Sequence, residues 1–134
     1  MSDAATATPT TPVTPELTLY GIANCDTVKK ARAWLTAHAQ AYTFHDFKKA
    51  GLPAPLVAQW LQAHDWQTLV NRKGTTWRAL DPAYQASIVD AASAAELMQA
   101  YPSVVKRPVL RAGTDLLVGY DPARYQSLLL PPAA

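Results

Sequence analysis

The chain is poor in the features that mark several protein classes. One cysteine in 134 residues leaves no internal disulfide framework and no multi-cysteine zinc site. The three histidines, His38, His45 and His64, are too scattered to make good that lack, so no metal centre is expected. No Lys/Arg run exceeds two, and 12 basic against 10 acidic residues give a net charge of only +2, which argues against nucleic acid as a partner. No apolar stretch approaches the roughly 18 residues a membrane span needs, so no membrane partner is expected either. The opening MSDAATATPTTPVTPE lacks a basic n-region and an apolar h-region, so it does not read as a secretory signal. What is present is apolar. Hydrophobic residues make up 49% and charged residues 16%, enough for a core and unlike a disordered chain. The expectation is a soluble, cytoplasmic protein of one domain.

Residues 1–16 are almost all Ala, Thr and Pro and read as a mobile tail, with the domain spanning 17–130. Leu17 to Ile22 is a β-branched and aromatic run with Gly near its end, which predicts a strand. Val28, Ala31, Leu35 and Ala39 recur at helical spacing, predicting a helix from Asp26 or Thr27 to about His38. Tyr42 to Phe47 alternates aromatic and polar residues and reads as a second strand. A helix of that length as crossover makes the two strands parallel, with a right-handed connection. Residues 52–102 change character. Leu52-Pro53-Ala54-Pro55 predicts a turn, Leu56, Trp60 and Leu61 a short helix, and Asn71 to Thr76 a loop. Tyr84–Val89 and Ala92–Ala100 are further helical candidates, so this stretch reads as a helical insertion. Pro108–Arg111 and Asp115–Gly119 then read as strands joined by a hairpin turn at Ala112-Gly113-Thr114. Asp121-Pro122 opens a last helix, Asp as N-cap and Pro at the first helical position. The order is that of a thioredoxin-like (glutaredoxin-type) α/β fold: a mixed sheet carrying a helical insertion.

Cys25 falls between a strand end and a helix start. There the free N–H groups and the positive end of the helix dipole favour thiolate over thiol. Lys29, one turn along, would add positive charge. Against this stands the ordinary fate of a free cysteine, which is burial as a small hydrophobe; position alone leaves both readings open. Val28 stands where a thioredoxin-type pair needs its second cysteine. Ala31 stands where a tyrosine-phosphatase-like loop needs its arginine, with Arg32 one residue late. No histidine lies close in sequence to activate the thiol as in a cysteine protease. Asn71-Arg72-Lys73-Gly74 is a basic loop and Lys106-Arg107 precedes a strand. An Arg fork suits carboxylates and oxyanions, although solvated surface charge is the commoner role. Pro108 reads either as an edge-strand proline or as the cis-proline that thioredoxin folds set beside a reactive cysteine.

The segment Tyr20 to Ala31, YGIANCDTVKKA, resembles the active-site segment of the arsenate-reductase-like (ArsC/Spx) family. It is most similar to the YffB branch of glutathione-dependent thiol reductases. Phe44–Lys49, Asn71–Arg78 and Val105–Val109 extend the resemblance over roughly residues 17–130 in the family's order. The resemblance implies a thioredoxin-like fold, Cys25 as nucleophile, Arg107 as an anion-binding arginine and Pro108 as the cis-proline. Asn24 and Pro108 would border bound glutathione, and Arg72, Arg107 and Lys29 would hold an anionic substrate. Arsenate reductases of the family surround their oxyanion with three arginines. Arg107 matches one; Asn71 stands opposite the second, with Arg72 beside it; the stretch Val118-Gly119-Tyr120 offers no third. Arsenate is therefore not the expected natural substrate.

The resulting expectation is a monothiol reductase. Cys25 attacks a small-molecule or mixed-disulfide substrate, and glutathione or glutaredoxin completes the cycle, glutathione serving as co-substrate rather than as a tightly bound cofactor. Two alternatives are a Spx-like protein-binding transcriptional regulator, which the missing Cys-x-x-Cys pair disfavours, and a degenerate protein that only binds glutathione.

Overall fold

A computed structural model describes residues 17–130; the tail expected over residues 1–16 lies outside the described residues. Four strands form one mixed sheet: β1 (Leu17–Gly21), β2 (Thr43–Asp46), β3 (Val109–Ala112) and β4 (Asp115–Val118). Their order is β2-β1-β3-β4, with β1 parallel to β2, β3 antiparallel to β1 and β4 antiparallel to β3. Helix α1 (Asp26–Ala37) crosses between the parallel strands, and α8 (Pro122–Leu129) closes the chain. Between β2 and β3 run α2 (Phe47–Ala50), α3 (Ala54–Ala63), α4 (Trp66–Leu69), α5 (Thr75–Arg78), α6 (Pro82–Ala86) and α7 (Ala91–Ala100). This is a thioredoxin-like α/β fold with a helical insertion. No helix among the described residues is long and apolar enough to cross a membrane.

The period-two alternation of the central strands builds two cores. Leu17 and Leu19 of β1 and Leu110 and Ala112 of β3 pack with Val28, Ala31, Leu35 and Tyr125 on the α1/α8 face. Tyr20 and Val109 face the other way, into Phe47, Trp60, Leu97, Met98 and the rest of the insertion. The central strands are therefore covered on both faces, and the C-terminal ends of β1 and β2 open on one rim.

Several boundaries differ from the sequence expectation. Phe47 does not continue β2: the Asp46 carboxylate accepts from the Lys48 and Lys49 N–H groups and turns the chain into α2, burying Phe47. Ala39 is not on the α1 face either. It sits past the helix end at φ 57°, and Gln40 N–H reaches back to the Leu35 carbonyl at 2.9 Å. Helix α3 begins earlier than expected because Pro55 is accommodated in its first turn, and Val57 with Trp60 forms its buried face. The basic loop ends at Gly74, after which Thr75 opens α5. Helix α6 starts at Pro82, earlier than the expected Tyr84, with Asp81 capping it, and stops at Ala86, short of the expected Val89. Ala112 pairs with Asp115, which leaves a two-residue hairpin turn at Gly113-Thr114.

Candidate functional site

The site is built where α1 meets the end of β1. Gly21 closes β1, and a Cβ there would stand 2.8 Å from the Val28 Cγ2 methyl, so glycine lets the first turn of α1 lie against the strand. The intervening loop is pinned to the neighbouring strand: Ala23 N–H points to the Asp46 carboxylate at 3.4 Å. Cys25 then takes the N-cap position with extended backbone, φ −138° and ψ 124°, and its carbonyl accepts the Lys29 N–H at 2.9 Å. The side chain is half-buried.

Opposing effects act on the Cys25 thiol. Burial, the largest single one, pushes it up. The Val28 N–H, the Arg107 guanidinium (by hydrogen bond and by charge) and the Thr27 N–H push it down, and together they prevail. The thiol is therefore more acidic than usual. No side-chain hydrogen bond of ordinary geometry caps α1, so the two amides act on the sulfur as oriented dipoles at the positive helix end. Arg107 reaches the thiol from the segment just before β3, the strand next to β1. Its Nη1 donates to the Ser103 carbonyl at 2.7 Å, while its Nε is buried with no hydrogen-bond partner. The Arg107–Pro108 peptide bond is cis, the geometry the resemblance implies. Pro108 is buried, and its carbonyl accepts the Gly119 N–H at 2.8 Å, so the stretch with no third arginine runs directly beside it.

The other sequence candidates take varied positions. The basic loop is strapped to the Arg107 segment: Asn71 N–H donates to the Val104 carbonyl at 2.7 Å and Lys106 N–H to the Leu69 carbonyl at 2.8 Å. Within it the Arg72 guanidinium lies 5.6 Å from the centre of the Trp66 ring, exposed, and is not among the groups that act on Cys25. The Lys29 side chain is exposed and also absent from that group; its contribution is the backbone bond to Cys25. Asn24 is exposed in the loop. His38, His45 and His64 are engaged with the carbonyls of Trp34, Gly51 and Leu116. Among the described residues no cluster of three His, Cys, Asp or Glu could hold a metal ion.

Three contributors escape sequence reasoning. Asp46 gave a readable signal, an Asp ahead of a short Lys-Lys segment. The Ser103 carbonyl, being backbone, gave none. Nor did Trp66, six residues from Arg72.

Cys25, Arg107 and Pro108 all fall within the stretch that sequence comparison matches. A model of the ArsC family matches residues 20–128. The chain belongs to the ArsC family. A protein named YffB shares 50% identity and superposes with a TM-score of 0.81, over 84% of this chain and 98% of that one. An arsenate reductase (ArsC) related protein from Brucella melitensis is also 50% identical, with a TM-score of 0.69 over 90% of this chain and all of that one. An uncharacterized protein from Haemophilus influenzae is 37% identical over 111 residues, 83% of this chain and 96% of its own length.

Proposed function

We propose that the protein is a monothiol reductase that works through Cys25 with glutathione as external reductant. The observation that carries this reading is the place of Cys25 at the N-cap of α1, where the helix-end amides and the Arg107 guanidinium lower its thiol. A thiolate is the nucleophile in thiol–disulfide exchange. With a mixed disulfide R–S–SG as substrate, Cys25 thiolate attacks the glutathionyl sulfur and R–S⁻ leaves, taking a proton from solvent. The product on the protein is Cys25–S–SG. One cysteine in the chain means this adduct has no internal resolving thiol. An external glutathione thiolate then attacks the bound glutathione sulfur, releasing glutathione disulfide and restoring Cys25 thiolate. In sum R–S–SG and one glutathione thiol become R–SH and glutathione disulfide, a disulfide exchange that consumes one external glutathione. Arg107 faces the sulfur and holds the anionic side of the substrate. ArsC membership also brings arsenate into question. With Asn71 and Gly119 at two of the three arginine positions, bidentate oxyanion contacts are missing.

The test is intact mass after exposure to glutathione disulfide, followed by reduced glutathione. One glutathione on Cys25, removed by the second treatment, is the expected result. A protein that takes up no glutathione, or an adduct that survives reduced glutathione, overturns the reading. Arsenate with glutathione and glutaredoxin is expected to turn over far below the enzyme median of about 10 per second.

A further inference from the structure

The net charge of +2 conceals an uneven distribution. The Cys25 rim is made by four segments, residues 22–30, 46–50, 70–74 and 104–107; the Ala23 N–H ties the first to the Asp46 carboxylate of the second, and the Asn71 N–H ties the third to the Val104 carbonyl of the fourth. The four segments carry eight of the 12 Lys and Arg residues but only two carboxylates, Asp26 and Asp46. Asp46 is already engaged with the Ala23, Lys48 and Lys49 N–H groups. Elsewhere in the described residues the balance reverses, with four cations against six carboxylates. On the α1 side stand Lys29 and Lys30; on the insertion side stand Lys48 and Lys49, then Lys73 and Lys106, every one of them exposed.

The extent of this rim decides what it fits. From β2 to β3 is two strand spacings, about 10 Å. The α1 side adds a helix diameter of about 10 Å on the opposite face of the sheet. An extended tripeptide reaches only about 10 Å. Glutathione therefore occupies one part of the rim and leaves most of its charges unanswered. Six of the eight cations are lysines, compact point charges on flexible stems that suit diffuse attraction to carboxylates more than bidentate grip on phosphate. A nucleic acid, moreover, carries no sulfur for Cys25 to attack. We infer that the rim around Cys25 is a docking face for acidic polypeptides, and that the mixed disulfides brought to Cys25 are borne on acidic proteins. The substrate half of this inference rests on the reductase reading above. Steering by such a field raises the encounter rate and falls steeply with salt.

The test uses the full chain and two synthetic peptides of equal length, each with one cysteine held as a glutathione mixed disulfide. Glutamates flank it in one and lysines in the other. With reduced glutathione present, the acidic peptide is expected to release its thiol at least tenfold faster at low ionic strength. The gap should close as salt shortens the screening length towards about 3 Å at 1 M. The double variant Lys48→Gln/Lys49→Gln should slow the acidic peptide several-fold and leave alkylation of Cys25 by neutral iodoacetamide unchanged. Equal rates for the two peptides, or a rate insensitive to salt, overturn the inference while leaving the reductase reading intact. If neither peptide nor glutathione disulfide reacts, the reductase reading fails, and binding of the acidic peptide with serine in place of cysteine decides the docking face alone. Salt-sensitive retention supports it, and none overturns it. Tighter retention of a single-stranded RNA of equal charge also overturns it, in favour of a nucleic-acid partner.

Discussion

At Cys25 the outcome depends on which of two opposed effects is larger. Burial favours the neutral thiol; the Val28 and Thr27 amides and Arg107 favour the anion, and their sum wins. Arg107 is the contributor that mutation can remove without touching the helix. In Arg107→Ala the midpoint of iodoacetamide alkylation against pH is expected to rise towards the free-cysteine value of about 8.5. The sign follows directly: at pH 7 less thiolate is present and alkylation slows several-fold, whereas at pH 10 both proteins are fully ionised and react alike. An unchanged midpoint would assign the whole effect to the helix end. The place of Cys25 between strand and helix was readable from composition and spacing. Its partnership with Arg107, more than 80 residues on, was not, and only the family resemblance pointed to it. Lys29 illustrates the opposite error. One helical turn from the sulfur in sequence, its side chain is exposed and is not among the groups that act on the thiol.

Among the elements, the joint between β1 and α1 is the least tolerant. A methyl at Gly21 would come within 2.8 Å of Val28, whose side chain is fully buried and has no room to retreat. Gly21→Ala is expected to cost about 1–3 kcal/mol in chemical denaturation, as overpacking does, and to slow Cys25 alkylation by displacing the first turn of α1. Adding Val28→Ala should restore much of the reactivity; a double variant as slow as the single one would place the defect elsewhere. At the start of α7, Asp90 and Ser93 form a reciprocal cap. The Ser93 N–H and hydroxyl hold the Asp90 carboxyl below its ordinary value. Because the folded value is the lower one, the cap's contribution is complete above the unfolded value, about 3.9. It is lost as pH falls through the folded one. Asp90→Ala should therefore melt below the parent at pH 7, and the difference should shrink progressively in acid. The cap of α8 was legible because Asp121 precedes Pro122, whereas the Asp81-Pro82 pair did not read as a helix start although Asp81 caps α6. The short helices α4 and α5 were not legible, since four residues give too little periodicity to separate helix from loop.

Over the whole molecule, one sheet divides two cores, and adjacent residues of β1 and β3 serve opposite sides. Leu19 and Leu110 belong to the α1/α8 core, Tyr20 and Val109 to the insertion core. The β-α-β opening and the β-β-α close could be read from alternation and helical spacing, because each element's pattern is local. That the insertion's helices share a core with the sheet could not, since Trp60, Leu97 and Val109 are brought together only by the fold. This sharing has a thermodynamic consequence. An insertion with a separate core would melt separately; one packed on Tyr20 and Val109 must lose its support when the sheet does. Leu35→Ala in one core and Leu97→Ala in the other both empty fully buried positions. Each is expected to cost about 2–5 kcal/mol. In both variants, denaturation followed by far-ultraviolet circular dichroism should superimpose on that followed by tryptophan fluorescence, as a two-state transition requires. Trp60 reports on the insertion core, and Trp34, edge-on to Tyr125, reports on the other. A biphasic curve in Leu97→Ala alone, with the fluorescence change running ahead of the sheet signal, would show that the insertion unfolds by itself and that the Tyr20–Val109 contacts do not couple the two cores.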